Sequence, residues 1–498
     1  MPLTHWRSRH RTSPGMAART LIVGAGDAGR TLAHDLQQTP SYGLIPIGFL
    51  DDDVRKRHVA RLPVLGRLAQ LTDLVRAEAV DVVIVAIPSL PPVELAALLR
   101  EASLSGARVR YLPTFHAAVQ RGSRAADLYE VSPATLLGRD EINVVRTVTP
   151  TLIRGRRVLV TGAGGSIGSE LCRQVRAYRP EALFMLDHDE SNLHRLQLEI
   201  TGEALLDADE LIVADIRDRA RVDQLFATLR PEIVFHAAAH KHLPLLERHP
   251  CEGVKTNVQG TQHLIDAAAA HGAHRFVLIS TDKAAAPTSV LGATKRLAEL
   301  VVRGHAGNST VAGSVRFGNV LGSRGSFLDV LAHQIAAHEP VTITDPDADR
   351  FFMTVEEAVG LVLEAAGMAE TGETFVLDMG DPVRLRSLVE TYAAQVGEHD
   401  VEIRFTGLRP GEKLSEVLFS ASEQRIPTGH PRVFATRGEP APPDLDAGLG
   451  ELYEAAERND NDAVGDWLAK LVPGYRPAAR GRPPSARALF GTLYPDDF

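Results

Sequence analysis

Two short segments of this sequence carry side chains that can move protons. Thr281, Asp282 and Lys283 are consecutive, and Lys295 lies a short distance further along the chain. A carboxyl group beside an amine can donate a proton at one point of a substrate and remove one at another, provided that burial or a neighbouring charge adjusts their pKa values. Lysine suits the basic role because its pKa shifts readily, whereas arginine stays charged. These four residues are therefore candidate catalytic groups; the alternative is a strand-end turn closed by a structural ion pair.

A glycine-rich segment upstream of these residues is typical of a turn that binds a dinucleotide. Gly162, Gly165 and Gly168 lie between an apolar run and a helical pattern, with Ser166 and Ile167 inside the same turn. Glycine lets the pyrophosphate approach the N-terminus of the helix, where backbone N–H groups and the helix dipole favour negative charge. We therefore predict a cofactor site at this turn.

Residues at the ends of the following predicted strands extend this cofactor site. Asp187 closes the next strand about 20 residues after the turn, where a carboxylate accepts hydrogen bonds from ribose hydroxyls and repels a 2′-phosphate. NAD is therefore expected in preference to NADP, although Asp187 could also be a simple strand-end cap. The other candidates at strand ends are Asp215, which could reach the adenine amino group, Ile216, Asn257 and the small residues Ala237, Ala238 and Ala239.

The patterns around these motifs predict an α/β protein with two Rossmann-type, doubly wound parallel sheets. The first pattern begins at 19–23, and its glycines, Gly24, Gly26 and Gly29, serve either tight packing or the binding of a nucleotide or nucleotide sugar. The predicted strands of the second sheet are 157–160, 183–186, 211–213, 233–236, 276–279 and 314–317.

Changes in composition divide the chain into five predicted parts. Residues 1–18 are basic without a following apolar block, so we expect a disordered tail and not a signal peptide. An N-terminal Rossmann-like domain at 19–140 and a linker at 141–154 precede the main domain at 155–437, which ends in a small substrate-binding region. The Pro- and Ala-rich remainder, 438–498, is expected to be an extension with one helix at 449–471, in which 459–461 is a candidate interruption.

The overall composition excludes several classes of protein. With 54 basic and 63 acidic residues the net charge is −9, which argues against binding to nucleic acid. Cys172 and Cys251 are too few for a disulfide scaffold or a Cys-rich zinc site, so a cytoplasmic location is expected. No apolar run reaches about 18 residues, so we predict no integral membrane span. His236, His240 and His242 lack a carboxylate partner in register, and we predict no metal site.

From about Gly155 to Leu418 the sequence resembles the nucleotide-sugar dehydratases of polysaccharide biosynthesis, the UDP-N-acetylglucosamine 4,6-dehydratase family of extended short-chain dehydrogenase/reductases. The front part, with its GAGDAG motif, is similar to the extra Rossmann domain of the long members. The matching stretches are TGAGGSIGSELCRQ, HKHLPLLERHP, VKTNVQGT, STDKAAAPTSVLGATKR, VRFGNVLGSRGS, RFFMTVEEA, LDMGDPV and TGLRPGEKL.

The resemblance implies a reaction that removes water across C5 and C6 of a UDP-sugar. The sugar is oxidised temporarily at C4 by NAD, and the hydride later returns to C6. The resulting ketone acidifies the C5 proton, for which Lys283, as an amine of lowered pKa, is the candidate base. Asp282 would protonate the leaving C6 hydroxyl, Thr281 would hydrogen-bond the C4 oxygen, and Lys295 would hold the nicotinamide ribose.

The same resemblance implies residues that bind the UDP-sugar. A diphosphate favours arginine, which makes bidentate contacts with phosphate. The candidates in the matching motifs are Lys241, His242, Arg316, Asn319, Arg350, Arg409 and Glu412. Each arginine could instead form a surface ion pair. Extended reductases commonly self-associate, so a homo-oligomer is also implied.

Two departures from the family pattern leave alternatives open. Long members usually begin with transmembrane helices, which this sequence lacks, and Leu291 stands where the reductase superfamily has tyrosine. Long-form dehydratases are similar in having methionine there, and this resembles the forms that retain the C5 configuration. A nucleotide-sugar 4-epimerase, or a non-catalytic protein that binds NAD or a UDP-sugar, are the alternatives.

Overall fold

The computed structural model describes residues 18–38, 44–53, 55–87, 107–111, 129–130, 148–202, 208–305, 309–321, 323, 325–370, 372–395, 401–437, 441–442 and 444–477. These residues form two compact units. The first consists of the described residues before 142 together with the segments 331–341 and 387–403, and the second contains the rest. The predicted tail, except for its last residue, lies outside the described residues.

Strands and helices alternate along much of the described chain. The strands are β1 Ala18–Val23, β2 Leu44–Leu50, β3 His58–Val59, β4 Leu62–Gly66, β5 Val82–Val85, β6 Arg108–Tyr111, β7 Tyr129–Glu130, β8 Arg157–Thr161, β9 Ala182–Asp187, β10 Leu211–Val213, β11 Ile233–His236, β12 Arg275–Ile279, β13 Val311–Arg316, β14 Asn319–Leu321, β15 Val341–Ile343, β16 Asp349–Arg350, β17 Phe352–Thr354, β18 Thr374–Leu377, β19 Val383–Arg384, β20 Ile403–Phe405, β21 Ile426–Pro427 and β22 Val433–Thr436. The helices are α1 Asp27–Gln38, α2 Leu71–Ala77, α3 Thr149–Ile153, α4 Ser166–Ala177, α5 Glu190–Thr201, α6 Arg219–Leu229, α7 Leu243–Arg248, α8 Pro250–Gly253, α9 Gly260–Ala270, α10 Val290–Gly304, α11 Phe327–Ala336, α12 Val355–Met368, α13 Leu385–Gln395, α14 Leu445–Glu457 and α15 Asn461–Leu471, with short 3₁₀ turns at Leu68–Gln70 and Asp282–Ala284 and a π-helical turn at Val254–Gln259.

The first unit contains a seven-stranded sheet in the order β3-β4-β2-β1-β5-β6-β7. Its central strand β1 pairs in parallel with β2 and β5, as the alternating pattern predicts. Gly24 follows β1 with a φ of +100°, a backbone conformation that favours glycine. The N–H of Ala25 in the same turn donates to Asp51 Oδ2 at 2.8 Å.

The second unit contains a nine-stranded sheet in the order β10-β9-β8-β11-β12-β13-β18-β22-β21. The strands from β10 to β18 pair in parallel, and β22 and β21 add an antiparallel edge. Side chains alternate between two cores: Val158 and Val160 of β8 pack on one face, whereas Leu159 packs on the other. Both faces are covered, which explains the continuous apolar runs of these strands. The predicted α/β fold with two parallel sheets is confirmed.

The strand order reverses at β8, because β9 lies on one side of it and β11 on the other. In doubly wound folds, ligands bind in the crevice at the carboxyl ends of the strands that flank such a point. The glycine-rich turn, which follows β8, and the Ala237–Ala239 segment, which follows β11, are therefore both at this crevice.

The end of the predicted linker is helical and belongs to the second unit. Helix α3 begins at Thr149, with Pro150 in its first turn, where the missing N–H costs no hydrogen bond. Thr149 is buried, and its hydroxyl donates to Glu364 Oε1 at 2.6 Å. This contact corrects the predicted linker, because it fixes residues 149–153 against α12.

The predicted C-terminal extension is likewise corrected, because it contains two helices that belong to the core of the second unit. Asp460 begins α15 by accepting a hydrogen bond from the N–H of Ala463, and the chain turns between α14 and this cap. Leu452 of α14 and Leu468 of α15 are fully buried in the same core cluster as Leu264 of α9. None of the helices in the described part of the chain has the length and apolar character needed to cross a bilayer.

We expect Leu452→Ala to lower the free energy of unfolding of this unit by about 2–5 kcal/mol, because it removes a fully buried leucine and leaves a cavity. Glu451→Ala is the matched control, since Glu451 is the exposed neighbour on the same helix and its loss should change stability by less than about 0.5 kcal/mol. Thermal and urea unfolding of both variants measure the difference. Equal values would contradict the assignment of α14 to the core.

Candidate functional site

A cavity of about 600 Å³ opens at the carboxyl ends of the strands of the second unit. Its walls come from the glycine-rich turn after β8, the loop after β11, the segment after β12 and the N-terminal turn of α10. This volume falls in the range of cavities that hold small ligands and cofactors. Three of the predicted catalytic residues, Thr281, Lys283 and Lys295, lie in its walls, together with the predicted substrate residues Lys241, His242 and Asn319.

The backbone of the glycine-rich turn is packed so closely that no side chain fits at two of its positions. Gly162 has a φ of +68°, and a Cβ there would lie 2.6 Å from the backbone N of Ala238. A Cβ at Gly168 would collide with the carbonyl oxygen of Gly162. Gly165, Ser166 and Ile167 line the cavity, and α4 begins at Ser166. The turn therefore fits a pyrophosphate placed against the N-terminus of a twelve-residue helix.

Asp187 is held in a fixed position at the end of β9. Its Oδ2 accepts from the N–H of Gly164 at 2.9 Å, and its Oδ1 accepts from the N–H of Asp189 at 3.0 Å. The carboxylate therefore stands beside the glycine-rich turn, as a ribose-binding acid requires. Asp215 and Ile216 follow the neighbouring strand β10; Asp215 is paired with Arg217, and Ile216 is buried.

Asn257 holds the loop after β11 by hydrogen bonds and does not line the cavity. Its Oδ1 accepts from the N–H of His240 at 2.8 Å, and its Nδ2 donates to the carbonyl of His240 at 3.1 Å. The same Nδ2 donates to Thr294 Oγ1 at 3.2 Å. The expected contact of Asn257 with the cofactor is therefore corrected to an indirect one, made through the loop whose Ala237 and Ala239 face the cavity.

The segment after β12 brings the carboxyl and amine groups into contact. Thr281 begins the 3₁₀ turn Asp282–Ala284, and its hydroxyl donates to Asp282 Oδ1 at 2.9 Å. Lys283 Nζ donates to the same Oδ1 at 3.0 Å and to Asn319 Oδ1 at 3.4 Å. Asp282 is fully buried, and its Oδ2 has no hydrogen-bond partner within the described residues.

The two lysines of the site have opposite electrostatic surroundings. Burial alone lowers the pKa of Lys283, but the carboxylates of Asp282 and Glu416 outweigh burial and raise that pKa above its usual value. Burial also lowers the pKa of Lys295, which the Glu299 carboxylate only partly offsets, so that it falls to about 8. The expectation of a lowered pKa at Lys283 is thus corrected, and the lowered value belongs to Lys295.

Lys295 and Leu291 project from the first turns of α10. Ser289 begins this helix by accepting a hydrogen bond from the N–H of Gly292 at 3.1 Å. Residues four apart share a helix face, so Leu291 and Lys295 both reach the cavity. Lys295 Nζ donates to the carbonyl of Ile279 at 2.6 Å, which fixes the amine next to the end of β12. At Leu291, where the reductase superfamily has tyrosine, the wall of the cavity is therefore apolar.

The predicted substrate residues lie in different surroundings. Lys241, His242 and Asn319 line the cavity, and Arg409 is exposed. The Arg350 guanidinium is buried, where it donates to Glu412 Oε1 at 2.9 Å and to the carbonyl of Leu414 at 2.9 Å. Arg350 and Glu412 therefore fix the segment that carries them.

Arg316 is enclosed in the interior, which corrects the expectation that it binds a diphosphate. Its side chain is fully buried, with Nη2 2.6 Å from Glu299 Oε2 and Nη1 2.7 Å from Glu423 Oε2. Arg296 contacts the same two carboxylates, and Ser280 donates to Glu299 Oε1 at 2.6 Å. The guanidinium is saturated by protein groups, so no face of it is open to a phosphate.

Glu416 is a site residue that the sequence motifs do not reveal. Its Oε1 lies 3.8 Å from Lys283 Nζ, and its side chain is 3% exposed. The motif TGLRPGEKL, which ends just before Glu416, is the nearest signal in the sequence, and it carries no information about distance to Lys283.

Of the three histidines considered for a metal site, His236 is held inside the fold, whereas His240 and His242 line the cavity. Both ring nitrogens of His236 contact threonine hydroxyls at 2.8 Å, from Thr161 and Thr261, and burial lowers its pKa to about 3. Among the described residues, no group of three or more His, Cys, Asp or Glu side chains is arranged to hold a metal ion.

Comparison with known proteins gives two family matches along the chain. Residues 158–438 match the profile of the polysaccharide biosynthesis protein family, and residues 2–113 match that of a CoA-binding domain. A relative along most of the chain is the probable polysaccharide biosynthesis protein EpsC of Bacillus subtilis, which is 39% identical over 84% of this chain and 71% of its own length.

Other relatives match a little more than half of the chain. A UDP-N-acetylglucosamine 4,6-dehydratase (inverting) of Campylobacter jejuni is 31% identical over 55% of this chain and 80% of its own length. A UDP-glucose 4-epimerase of Rickettsia canadensis is 30% identical over 54% and 79% of the two chains. The X-ray structure of Pen from Bacillus thuringiensis is 34% identical, covers 57% of this chain and 88% of that one, and has a TM-score of 0.52. The profile match over more than half of the sequence and the EpsC relative confirm the resemblance, and the chain belongs to the polysaccharide biosynthesis protein family of nucleotide-sugar dehydratases and extended short-chain reductases.

Proposed function

We propose that this protein is an NAD-dependent nucleotide-sugar 4,6-dehydratase that converts UDP-N-acetylglucosamine to a UDP-4-keto-6-deoxy-hexosamine. The observation that carries the proposal is the contact of Lys283 Nζ with Asp282 Oδ1, at 3.0 Å. Lys283 lines a cavity that also contains a dinucleotide-type glycine turn, and Asp282 is buried beside it. A base and an acid side by side are what elimination of water across two adjacent carbons requires.

The glycine-rich turn and Asp187 are the residues that would hold the cofactor. Gly165, Ser166 and Ile167 line the cavity at the N-terminus of α4, which suits a pyrophosphate, and the fixed Asp187 carboxylate suits an unphosphorylated ribose. NAD supplies a hydride acceptor for C4 and returns that hydride to C6, so no external oxidant is consumed. The side chains of the protein would carry out the proton transfers.

Asp282 and Lys283 can exchange roles by moving a single proton. In the ligand-free protein the raised pKa of Lys283 favours an ammonium beside a carboxylate. Transfer of one proton across the 3.0 Å contact gives an amine and a carboxylic acid with no change in net charge. Burial acts toward this neutral pair, because both charges lose their hydration inside the site, whereas the neighbouring carboxylates act against it in the ligand-free protein. Lys283 would then remove the C5 proton, Asp282 would supply the proton for the leaving C6 hydroxyl, and the ammonium of Lys283 would return a proton to C5 as hydride reaches C6.

Thr281 and Lys295 would act around the C4 oxygen and the nicotinamide ribose. The Thr281 hydroxyl lines the cavity and is held by its contact with Asp282, so it can turn to donate to the sugar. Lys295 is anchored by the carbonyl of Ile279 and retains further N–H groups to hold a ribose hydroxyl. Leu291 cannot accept a proton, so the C4 hydroxyl must lose its proton to one of the polar groups nearby.

The UDP part of the substrate would meet the cationic and polar rim of the cavity. Lys241, His242 and Asn319 line it, and Arg409 is exposed on the segment that also carries Glu412. A phosphate group is best matched by such donors. Arg350 would act by fixing this segment through Glu412, whereas the enclosed Arg316 has no contact with substrate in this reaction.

A nucleotide-sugar 4-epimerase is the second candidate, supported by the epimerase relative of near-equal identity. Epimerisation also begins with oxidation at C4, but it needs no base at C5 and no acid at C6. The Asp282–Lys283 pair would then have no reaction to perform. A non-catalytic protein that binds NAD or a UDP-sugar is supported only by Leu291 at the tyrosine position.

Mass spectrometry of the product from UDP-N-acetylglucosamine and NAD tests the proposal. Loss of one water, with a 4-keto-6-deoxy sugar in the NMR spectrum, is the expected result. An isomer of unchanged mass that keeps its 6-hydroxyl would support the epimerase instead. Binding without turnover of any UDP-sugar would support the non-catalytic alternative.

We expect Asp187→Asn to weaken NAD binding about 10- to 100-fold and to narrow or invert the preference for NAD over NADP. The charged acceptor for the ribose hydroxyls is lost, and so is the repulsion of a 2′-phosphate. Calorimetric titration with each dinucleotide measures both effects. Asp51→Asn is the matched control, because Asp51 accepts from the glycine turn of the first unit in the same way. A larger effect from Asp51→Asn would place the NAD site in the first unit.

A further inference from the structure

Glu416 is a buried carboxylate in contact with the Asp282–Lys283 pair, and neither the elimination of water nor the transfer of hydride gives it a task. Its Oε1 is 3.8 Å from Lys283 Nζ, and its side chain is almost completely enclosed. Burial of an unpaired carboxylate is unfavourable because its hydration is lost, and a nearby buried ammonium compensates that loss. The contact between them is therefore a fixed part of the site.

The charged groups around Lys283 come from three parts of the chain. Asp282, next to it in the sequence, lies at 3.0 Å, and Glu416 lies at 3.8 Å on the other segment. Asn319 of β14 presents a neutral amide oxygen at 3.4 Å, and Arg350 of β16 adds a repulsive positive charge. The two negative carboxylates outweigh the one positive guanidinium, so together these groups favour the ammonium form of Lys283.

The second oxygen of Glu416 faces Lys413. Glu416 Oε2 lies 2.8 Å from Lys413 Nζ, at angles outside those of a hydrogen bond. The carboxylate thus lies between two lysines, with one oxygen toward each. The walls of the cavity do not include Glu416, so its effect on a bound sugar must pass through Lys283.

We propose that Glu416 is a positioning residue that completes a charged triad with Asp282 and Lys283. It directs Lys283 Nζ and stabilises the ammonium that forms once Lys283 has taken the C5 proton of the sugar. A base that is oriented and charge-stabilised by a third, buried group is the arrangement known from catalytic triads. This role rests on the proposed dehydratase function, because only a reaction with a base at C5 needs it.

The Glu416→Gln variant of the full chain tests the triad by titration. Reductive methylation with ¹³C-formaldehyde labels the lysines, and NMR of the ligand-free protein then follows the pKa of each one. The chain has only seven lysines, and Lys283→Met identifies the resonance of Lys283. We expect Glu416→Gln to lower the pKa of Lys283 and Glu416→Asp to restore part of it.

Kinetics of the same variants separate positioning from binding. Loss of the charge at Glu416 should lower kcat about tenfold to a hundredfold, since a hydrogen-bonded or paired charge is lost at the base. KM for the UDP-sugar should change less than about twofold, because Glu416 does not line the cavity. The limb of the pH–rate profile that reports Lys283 should move to lower pH together with its pKa.

Glu451→Gln is the control, because Glu451 is an exposed carboxylate on α14. It should leave the pKa of Lys283 unchanged. The double variant Lys413→Gln/Glu416→Gln also removes the cation that faces Glu416, and it replaces the single variant if Glu416→Gln folds poorly. An unchanged pKa of Lys283 in both Glu416 variants, or an equal fall in Glu451→Gln, would overturn the proposal.

The titration needs no substrate, so the two proposals can fail separately. If Glu416→Gln shifts the pKa of Lys283 but the protein dehydrates no UDP-sugar, the contact between Glu416 and Lys283 is supported and the dehydratase function is refuted. If Glu416→Gln leaves the pKa of Lys283 unchanged and the wild-type protein does dehydrate its substrate, only the proposed role of Glu416 is refuted.

Discussion

Lys283→Met should lower the kcat of dehydration by about 10²–10⁴-fold while NAD binding stays within about twofold of the wild type. The variant removes the only group placed to accept the C5 proton in the proposed reaction and leaves an apolar side chain of similar length. Turnover of UDP-N-acetylglucosamine by coupled chromatography and calorimetric titration with NAD measure the two quantities.

Lys470→Met is the control for this substitution, because Lys470 is exposed on α15, with its Nζ 4.1 Å from the centre of the Trp467 ring. It should keep the wild-type kcat. The assignment of the base would be refuted if Lys283→Met retained more than about a tenth of the activity.

Arg316→Met should lower the free energy of unfolding of the second unit by about 3–5 kcal/mol and its Tm by roughly 10 °C. The substitution leaves Glu299 and Glu423 buried with only Arg296 between them. The triple variant with Glu299→Gln and Glu423→Gln removes the uncompensated charges and should recover most of the loss. If Arg316→Met instead abolishes UDP-sugar binding without lowering the stability, Arg316 is a substrate-binding residue.

The pH dependence of this loss has a defined sign. Burial raises the pKa of Glu299, but Arg316 and its neighbours outweigh burial and hold that pKa at about 2, below the ordinary 4.5. Its ion pairs therefore stabilise the fold above pH 4.5, and the contribution disappears as the pH falls toward 2. The deficit of Arg316→Met should be largest near neutral pH and should shrink in acid, where Glu299 of the variant takes up a proton.

The strands were well predicted where an apolar run is buried on both faces. β10 and β11 have the predicted bounds, because turn residues interrupt the hydrophobic pattern on either side. Helices α14 and α15 were predicted as part of an extension, because their surroundings in the sequence are rich in alanine and proline. Their apolar stripes pack on each other and on α8, the π-helical turn and α10, which lie far away in the sequence.

The types of residue in the site could be predicted from the sequence, but the groups that surround each residue in the fold could not. The glycines of the turn, Asp187 and the Asp282–Lys283 pair follow from local motifs. The enclosure of Arg316 by Glu299 and Glu423, and the pairing of Lys283 with Glu416, depend on contacts between distant segments. An arginine in a family motif suggests phosphate binding, but only its neighbours in space decide whether the guanidinium is free.

NMR of the product formed from UDP-N-acetylglucosamine in deuterated water tests most directly whether the pair of residues 282 and 283 eliminates water. We predict a single deuterium at C5, supplied by an exchangeable acid, and a C6 methyl group without deuterium, since its third hydrogen comes from C4 of the same sugar. A product that keeps its 6-hydroxyl and carries no deuterium at C5 would contradict this elimination.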